Sequence, residues 1–422
     1  MYHDEAPTTM DSSDNERTAV VTENHHETPS VLPLEGIRVL DIATVLAAPF
    51  AATLLAEFGA EVIKVEQPEV GDPVRHFAPY RDSQSLHWRV TNRNKKSITL
   101  DFHTEVGRSL FHRLVQEADV VVTNFRPAKL REWNIDFDDL VKVNPSLVYF
   151  HLTAFGRTGP YSDRPGFARV AEAMSGLTYT TGYADRAPVF AGYPIADGIS
   201  GIYGAFSLMI ALRHRDLTGE PQLVDLALYE PLLRLMEDLV VGYSGTGTVK
   251  ERVGNAQPNI CPNNVYPTSD GKYVILPAST DKMWNRVVNL LDDDELRRFA
   301  TNEIRMRNRT LIDERIAKFT EQFTLEEVMT IFQENDIACG KVYSVADIVS
   351  DPQVLHRGNL TIIHDDDLDV DLMVQSPVPH FSAFSPTVES APRLGEHNEL
   401  IYRELLGIDS DAVKHYHDAG VI

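Results

Sequence analysis

From Gly36 onward, the chain alternates between short apolar runs and longer amphipathic segments. Residues 37–42 predict a buried strand, and residues 49–58 predict a helix with a proline in its first turn. Gly59 is typical of a helix end, and residues 61–65 predict the next strand. These segments together predict one β-α-β unit.

The same order repeats in the following part of the chain. Residues 104–118 have a helical pattern and lead into the apolar run 119–125. Residues 137–146 lead in the same way into the run 147–156. Strands that alternate with helices pair in parallel, and helices cover both faces of their sheet. The pattern therefore predicts an α/β fold with a parallel sheet.

A long helix that is apolar nearly all round is predicted over residues 198–215. Gly201 and Gly204 within it would allow another element to approach its backbone closely. Residues 222–228 then predict a strand, and residues 230–243 predict a further helix. The α/β pattern thus extends past the middle of the chain.

The composition changes on either side of this region. Residues 1–32 are polar, acidic and poor in aromatic residues, so they predict a disordered tail. The passage 245–271 is rich in Gly, Pro and Asn and indicates a boundary. Beyond it, the run 272–280 and the helical patterns to about residue 357 predict a second, smaller α/β unit. A loop and a final amphipathic helix follow.

Length and charge exclude several classes of protein. With 422 residues, 43% of them hydrophobic, the chain can form a large core and two or three domains. It has no apolar run of membrane-spanning length and no secretory signal pattern, so we expect no membrane partner. The net charge of -23 disfavours nucleic acid as a partner, and a phosphate-bearing ligand would need a local basic patch.

The two cysteines, Cys261 and Cys339, lie in unrelated contexts without a Cys-x-x-Cys spacing. Neither a disulfide framework nor a zinc site is expected from them, and a reducing, cytoplasmic location fits best. The acid-rich N-terminal segment also argues against a mitochondrial presequence.

Basic residues near predicted strand ends are the candidates for a phosphate site. The loop after the first strand has no glycine, so an ordinary dinucleotide-binding loop is not predicted there. A basic cluster is usually a solvated face, but in so acidic a chain these clusters also favour a phosphate site. The candidates are Lys64, Arg93, Lys95, Lys96, Arg126 and Lys129.

Asp197, in the stretch GYPIADGISG, stands directly before the long apolar helix. One interpretation is a helix cap, whose carboxylate accepts from the amide of Ile199 or Ser200. The other is a nucleophile, because the positive end of the helix dipole favours an ionised carboxylate. The pattern leaves both roles open, and the two are compatible.

Several blocks of the sequence resemble one enzyme family, both in their residues and in their order. They are LEGIRVLDIATVLAAPFAATLLAEFGAEVIKVEQPEVGDPVR, NRNKKSITLDF, ADVVVTNFRP, AFGRTGPYSDRPGF, AEAMSGL, ADGISGIYG and PRLGEHNEL. From about Leu34 to its C-terminus, the chain resembles the class III coenzyme A transferases of CaiB/BaiF type. That family includes formyl-CoA transferase and carnitine CoA-transferase.

The resemblance implies an enzyme that moves CoA from an acyl-CoA, with succinyl-CoA a favoured donor, to a free carboxylic acid. The nucleophilic aspartate in the GDSNSG stretch of formyl-CoA transferase matches Asp197, which is therefore the implied catalytic residue. The implied intermediates are an aspartyl anhydride and an aspartyl-CoA thioester. The CoA thioester is a substrate in this chemistry, and we expect no permanently bound cofactor and no metal.

The resemblance also implies which residues contact CoA. They belong to the loop after the first strand, the segment after the basic run and the turn after residues 119–125. Two arginines of the family are replaced by Gln67 and Glu132, with an arginine beside the second replacement. The implied contacts are Val45, Leu46, Ala47, Leu100, His103, Asn124, Phe125, Arg126 and Arg131.

Two departures from the family bear on the mechanism. The supporting acid of formyl-CoA transferase is Ala168 here, which leaves Glu172 as one candidate for a second carboxylate, and the glycine-rich lid is missing. The His-Asp pair of the related α-methylacyl-CoA racemase aligns with Phe167 and Ala168, so both of its groups are absent. An acyl-CoA racemase or isomerase and a non-catalytic CoA-binding partner subunit are the alternatives, and the retained Asp197 favours the transferase.

The resemblance further implies a large doubly wound parallel-sheet domain formed by both ends of the chain, a smaller α/β domain and an interlocked homodimer. No motif identifies the acceptor acid, and the family favours dicarboxylates of four or five carbons or a hydroxy acid. The predicted organisation is an acidic tail (1–32), the N-terminal part of the large CoA-binding domain (33–228), a linker (229–252), the small domain (253–357), and a linker with the C-terminal part of the large domain (358–422).

Overall fold

A computed structural model describes residues 31–422 of the chain. The predicted tail, residues 1–32, lies outside the described residues except for its last two positions.

The strands are β1 (Arg38–Asp41), β2 (Glu61–Glu66), β3 (Tyr80–Arg81), β4 (Gln84–Ser85), β5 (Lys95–Thr99), β6 (Val120–Thr123), β7 (Val148–Thr153), β8 (Gln222–Ala227), β9 (Asn263–Pro267), β10 (Tyr273–Pro277), β11 (Gly340–Lys341), β12 (Leu360–Asp365) and β13 (Val370–Gln375). The α-helices are α1 (Ala47–Glu57), α2 (Leu86–Thr91), α3 (Glu105–Gln116), α4 (Pro127–Trp133), α5 (Phe137–Leu140), α6 (Ala168–Met174), α7 (Leu177–Thr180), α8 (Ile195–Thr218), α9 (Tyr229–Leu235), α10 (Glu237–Thr246), α11 (Asp281–Leu291), α12 (Asn302–Arg307), α13 (Arg309–Thr320), α14 (Leu325–Glu334), α15 (Val345–Ile348), α16 (Pro352–His356) and α17 (Ser410–Asp418).

Six parallel strands form the main sheet, in the order β5-β2-β1-β6-β7-β8. The chain first moves outward from β1 through β2 to β5, and it then crosses to β6 on the other side of β1. The strand order therefore reverses between β1 and β6. In such sheets, ligands bind in the crevice at the carboxyl ends of the strands beside the reversal. The predicted α/β fold with a parallel sheet is confirmed.

Helices cover both faces of this sheet, and on one face α1 lies along α8. A Cβ at Gly201 of α8 would lie 2.6 Å from the ring of Phe50 in α1. A Cβ at Gly204 would lie 2.6 Å from the ring of Phe150 in β7 and 3.0 Å from Ala51. The two glycines therefore allow the close approach that the sequence predicts.

The other face carries α3 and the last part of the chain, which share one core. The Thr99 N–H donates to the Asn398 side chain at 2.8 Å, and the Tyr402 hydroxyl donates to the Thr99 carbonyl at 2.7 Å. The Ser97 N–H donates to Nδ1 of His397 at 3.2 Å. Residues near both ends of the described chain thus pack at the outer strand β5.

A second, smaller unit has a separate core, in which the antiparallel strands β9, β10 and β11 pack with α11, α13 and α14. Strand β9 lies inside the passage 245–271, which the sequence pattern assigns to a boundary. Its Asn and Pro residues hide the strand pattern, although Tyr266 within it is buried in the core. The domain limits at residues 253 and 357 remain predictions.

Two predicted helices differ from the observed ones. The helix predicted over 230–243 is broken at Met236, whose backbone (φ -85°, ψ 64°) separates α9 from α10. The helix predicted over 137–146 is reduced to the single turn α5, which ends at Leu140, and Pro145 explains the absence of helix only at Asn144.

Among the described residues, α8 is the one helix whose length and apolar composition would allow it to cross a membrane. One side of it, including Leu208 and Leu212, is buried against α1 and the sheet. The opposite side is apolar as well, but Phe206 is 60% exposed and Ile210 is 55% exposed. No element among residues 31–422 covers this exposed apolar face.

Candidate active site

Asp197 is the third residue of α8 and lies in the first turn of this helix. Pro194 occupies the N-cap position and makes no side-chain capping hydrogen bond. The capping interpretation is therefore wrong, because the helix begins two residues before Asp197. The carboxylate lines two cavities instead.

The surroundings of Asp197 raise its pKa to about 6. Burial of the carboxylate is the main cause, the negative charge of Glu172 adds to it, and Arg169 acts in the opposite direction. The helix dipole favours the ionised form, but burial and Glu172 outweigh it. Asp197 is thus an unusually basic carboxylate that is still mostly ionised at pH 7.

Glu172 and Arg169 are neighbours on α6, one helical turn apart. Glu172 is buried, and Arg169 Nη1 donates to its Oε2 at 2.8 Å and to the Ala191 carbonyl at 3.1 Å. Within the described residues, the other oxygen of Glu172, Oε1, has no hydrogen-bond partner. Sequence reasoning missed Arg169, although its three-residue spacing from Glu172 is typical of a helical ion pair.

The two cavities at Asp197 differ in their lining. The loop cavity, of about 320 Å³, lies among the loops that follow β1, β6 and β7. The apolar cavity, of about 840 Å³, lies beside α1 and α2 and is lined by residues such as Phe50, Leu86 and Val90. Leu46 lines both cavities, so Leu46 and Asp197 stand between them.

Most of the implied CoA contacts lie at the loop cavity. They follow the carboxyl ends of β1 and β6, the two strands between which the strand order reverses. The fold therefore brings two segments that are about 80 positions apart in sequence to the side of Asp197. The implied contacts that line the loop cavity are Val45, Leu46, Ala47, Asn124, Phe125 and Arg126.

A third cavity, the outer cavity, has a volume of about 320 Å³ and adjoins the loop cavity. Thr44 and Phe125 line both. Leu100 and His103 line only the outer cavity, so they lie farther from Asp197 along the same crevice. Arg131 lines none of the three cavities and is exposed on α4.

Lys64 and Lys95, two members of the predicted basic patch, are buried beneath the loop after β1. Lys64 lies 2.9 Å from Asp72, and Lys95 lies 2.8 Å from Asp41. Buried carboxylates neutralise both charges, so the phosphate-site prediction is wrong for these two residues. Of the other members, Arg93 and Lys96 pair with Glu57 and Glu61, while Arg126 lines the loop cavity and Lys129 lines the outer cavity.

A buried histidine supports the turn after β6. His151 Nε2 donates to the Phe125 carbonyl at 2.6 Å, and Arg157 Nη1 donates to His151 Nδ1 at 2.6 Å. Arg157 also pairs with Asp136 at 2.9 Å. Burial lowers the pKa of His151 to about 4, and the Arg157 charge adds to this effect. A neutral ring thus holds the turn, and a lone histidine in an apolar strand gives no sign of this role in the sequence.

Neither cysteine lines any of the three cavities. Both are free, and burial of Cys261 in the core of the smaller unit raises the pKa of its thiol to about 11. Across residues 31–422, no group of three or more His, Cys, Asp and Glu side chains could hold a metal ion.

Comparison with known proteins identifies the family. The sequence pattern of CoA-transferase family III matches residues 34–398. The chain belongs to CoA-transferase family III. The family resemblance predicted from the sequence blocks is confirmed, and the protein is an enzyme that transfers CoA.

Individual members of the family are similar over nearly their whole length. The chain is 39% identical over 384 residues to succinyl-CoA–D-citramalate CoA-transferase of Chloroflexus aurantiacus, a match that covers 90% of this chain and 95% of that protein. It is 38% identical over 402 residues to the succinyl-CoA–L-malate CoA-transferase beta subunit of the same organism, covering 94% and 99%. The crystal structure of a CAIB/BAIF family protein from Brucella suis matches with a TM-score of 0.79 at 34% identity, covering 89% and 99%.

In this CoA-transferase, the positions of the racemase pair hold groups without acid-base chemistry. Phe167 is exposed and lines the loop cavity, while Ala168 is buried at the start of α6. The titratable groups beside Asp197 are Glu172, Arg169 and Tyr193. Among residues 31–422, Asp197 is the carboxylate that lines both the loop cavity and the apolar cavity.

Proposed function

We propose that Asp197 is the nucleophile of this CoA-transferase and that it carries CoA from succinyl-CoA to a free carboxylic acid. The observation that carries the proposal is the position of Asp197, which lines both the loop cavity and the apolar cavity. Its pKa of about 6 adds support. A carboxylate of this pKa is ionised at pH 7, yet it is more basic, and hence more nucleophilic, than an ordinary one.

The first half-reaction loads CoA onto the enzyme. The Asp197 carboxylate attacks the thioester carbonyl, the carbon–sulfur bond breaks, and CoA leaves as a thiolate, which gives a mixed anhydride. The thiolate then attacks the aspartyl carbonyl of this anhydride. The donor acid departs as a carboxylate, and an aspartyl-CoA thioester remains.

The second half-reaction repeats these steps in reverse order with the acceptor. Its carboxylate attacks the aspartyl thioester, and the thiolate is expelled to give a new anhydride. The thiolate then attacks the acceptor acyl carbon, which forms the product thioester and releases Asp197. No net proton is taken up or lost, so the chemistry needs no second acid-base residue.

The cavities divide the two substrates between them in this proposal. CoA would run from the outer cavity, past Phe125, into the loop cavity. The exposed Arg126 along this path supports the binding of an anionic ligand by an acidic chain, whereas Lys129 pairs with Glu132 at 3.0 Å. The carboxylic acid would approach Asp197 from the apolar cavity, where Tyr193 is also part of the lining.

The named relatives support the substrate class. One is a succinyl-CoA–D-citramalate CoA-transferase, and another is a subunit of a succinyl-CoA–L-malate CoA-transferase. We therefore propose succinyl-CoA as the donor and a four- or five-carbon dicarboxylate, with or without a hydroxyl group, as the acceptor. The proposed location is the cytoplasm, which the two free cysteines support.

The test uses the purified chain with succinyl-CoA and a panel of acids that includes D-citramalate, L-malate, glutarate and propionate. We expect a new acyl-CoA and an equal amount of succinate, and hydroxylamine should trap Asp197 as a hydroxamate. Asp197→Asn should form neither, whereas Asp216→Asn, at an exposed position near the end of the same helix, should behave as wild type. Absence of CoA transfer from succinyl-CoA to every acid of the panel would contradict the proposal.

Racemisation is the second candidate reaction, because the family includes related enzymes of that kind. It requires removal and return of the proton next to the thioester, and Phe167 and Ala168 do not supply the groups. A chiral 2-methylacyl-CoA kept with the protein in D₂O should therefore retain its configuration and gain no deuterium. Rapid deuteration without an acceptor acid would favour the racemase.

We also propose an interlocked homodimer. Support comes from the exposed apolar face of α8, with Phe206 and Ile210, and from α10, where Val240 is 60% exposed and Val241 is 67% exposed. Apolar surface of this kind marks a site of association. Light scattering during gel filtration should show a dimer of the pure chain, and a monomer that requires a second, different chain for activity would contradict it.

A further inference from the structure

Val45 has a backbone conformation that β-branched residues rarely adopt. Its φ is 71°, in the left-handed region, where a branched Cβ crowds the neighbouring backbone. Such a conformation persists only where the surrounding structure holds it, and it is frequent at functional sites. Val45 lines the loop cavity, which makes the cause of this conformation relevant to the reaction.

The side chain that holds Val45 is Asp72. The Val45 N–H donates to both oxygens of this carboxylate, at 3.1 and 3.2 Å. One of these oxygens also accepts the Val74 N–H at 2.9 Å, and the other lies 2.9 Å from Lys64 Nζ. Asp72 is 1% exposed, at the floor of the outer cavity. Its carboxylate is thus fixed in place by groups other than Val45.

The two residues before Val45 are held in the same way. The Ala43 N–H donates to Asp41 at 3.1 Å, and Lys64 donates to the Ala43 carbonyl. Asn124 accepts the Thr44 N–H at 2.9 Å and donates to the Thr44 carbonyl at 2.7 Å. Each N–H from residue 43 to residue 45 is therefore bonded to a side chain, and the loop does not depend on a ligand for its shape.

We propose that Asp72 is a positioning residue for CoA transfer. By holding Val45 in the left-handed conformation, it sets the entry into α1 and keeps Val45 and Leu46 in the lining of the loop cavity, which Asp197 also lines. It acts on the reaction through this loop and not through contact with the reacting atoms. The inference rests on the proposed role of the loop cavity as a CoA site.

The direct test is Asp72→Asn, which keeps the shape of the side chain and removes its charge. A charge-assisted hydrogen bond is about twice as strong as a neutral one, so kcat/KM for the acyl-CoA should fall by about tenfold. Most of the loss should appear in KM, because Asp197 itself is unchanged. Amide hydrogen exchange at Val45 and Leu46 should become faster, while exchange in the strands of the main sheet should not.

Asp365→Asn is the matched control. Asp365 is also a buried carboxylate, which pairs with Arg89 at 2.8 Å and accepts the Leu368 N–H at 3.0 Å. It lines neither the loop cavity nor the outer cavity. Its loss should lower the melting temperature but leave KM for the acyl-CoA within about twofold of wild type. Equal changes in KM for the two variants would overturn the proposal.

A second variant tests whether strain at Val45 is what Asp72 offsets. Glycine adopts this φ without steric cost, so Asp72→Asn should reduce kcat/KM less in a Val45→Gly background than in wild type. The expected loss there is less than about threefold, against about tenfold in wild type. Losses of the same size in both backgrounds would overturn the proposed coupling.

One measurement needs no variant and covers the case in which Asp72→Asn does not fold. In the wild-type protein, the Val45 amide should be protected from hydrogen exchange to the same degree as the amides of β1. Exchange at the rate of an exposed loop would overturn the role of Asp72. The two proposals fail differently: a wild type that does not bind CoA contradicts the proposed function, whereas an active wild type with an unaffected Asp72→Asn variant contradicts only the inference about Asp72.

Discussion

Asp197 and Leu46 are the two residues that line both the loop cavity and the apolar cavity. Leu46 is also the residue that precedes the first turn of α1, and it is 8% exposed. Leu46 is thus the apolar side chain that the linings of the two proposed substrate paths share. The boundary should keep water away from the acyl intermediates, which water would otherwise hydrolyse.

We predict that Leu46→Ala increases hydrolysis of the acyl-CoA relative to transfer. Removing this side chain opens the boundary to water, and it should also cost about 2–3 kcal/mol of stability as a large-to-small change at a buried position. The measurement is CoA release with and without acceptor acid. Leu54→Ala is the control, because Leu54 lines only the apolar cavity. An unchanged ratio in Leu46→Ala would contradict the boundary role.

Asp197→Asn should abolish transfer and make the folded protein more stable at pH 8. The folded-state pKa of about 6 lies above the ordinary value of 3.8, so stability is lost as the pH rises from about 3.8 to about 6, and at pH 8 the buried charge opposes folding in full. The neutral amide avoids this penalty, and we expect a gain of about 1–2 kcal/mol in the free energy of unfolding. Chemical denaturation at pH 8 measures it. A large loss of stability would show that the carboxylate has a structural role.

The rate of CoA transfer should fall on the acid side with the ionisation of Asp197. Only the carboxylate attacks, so kcat/KM should decline below about pH 6 and be about tenfold lower at pH 5 than at pH 7. A profile of kcat/KM against pH, measured with a fixed donor and acceptor, gives the inflection, the pH at which kcat/KM falls to half of its plateau value.

Glu172→Gln should move that inflection to lower pH. The negative charge of Glu172 raises the pKa of Asp197, so its removal should lower this pKa. The control is Asp163→Asn, which removes an exposed carboxylate from the loop before α6 and should leave the inflection where it is. The same profile in wild type and Glu172→Gln would argue against electrostatic coupling.

His151 should make the protein less stable as the pH falls from about 6.5 to about 4. Its pKa is lowered from the ordinary 6.5 to about 4, so the unfolded state binds a proton that the folded state does not. The stability that the neutral ring contributes is complete above pH 6.5 and is lost below it. His151→Gln should remove about 2–3 kcal/mol of this dependence between pH 7 and pH 4. Denaturation curves at several pH values give the free energy of unfolding as a function of pH. If His151 were not responsible, this free energy would change with pH by the same amount in the wild type and in His151→Gln.

The parallel sheet and the long helix that carries Asp197 near its start could be predicted because their signals are local. Apolar runs, glycines at close approaches and short motifs are visible within short windows of sequence. Gly201 and Gly204 are examples, since the absence of a side chain at these positions already predicts a packing neighbour.

The burial of Lys64 and Lys95 could not be predicted in the same way. Their carboxylate partners, Asp72 and Asp41, come from other segments of the chain, and a basic cluster in sequence does not show which carboxylates the fold will bring to it. The break at Met236 has no local cause either, because neither Gly nor Pro stands at that position.

The contact between Thr99 and Asn398 joins residues that are 299 positions apart. The residues that pack against the outer side of strand β5 are therefore synthesised only after almost all of the remaining chain. Contacts of such long sequence separation slow folding, and unfinished intermediates expose apolar surface and strand edges to aggregation. Production of this enzyme should accordingly improve with slower translation at low temperature and with added chaperones.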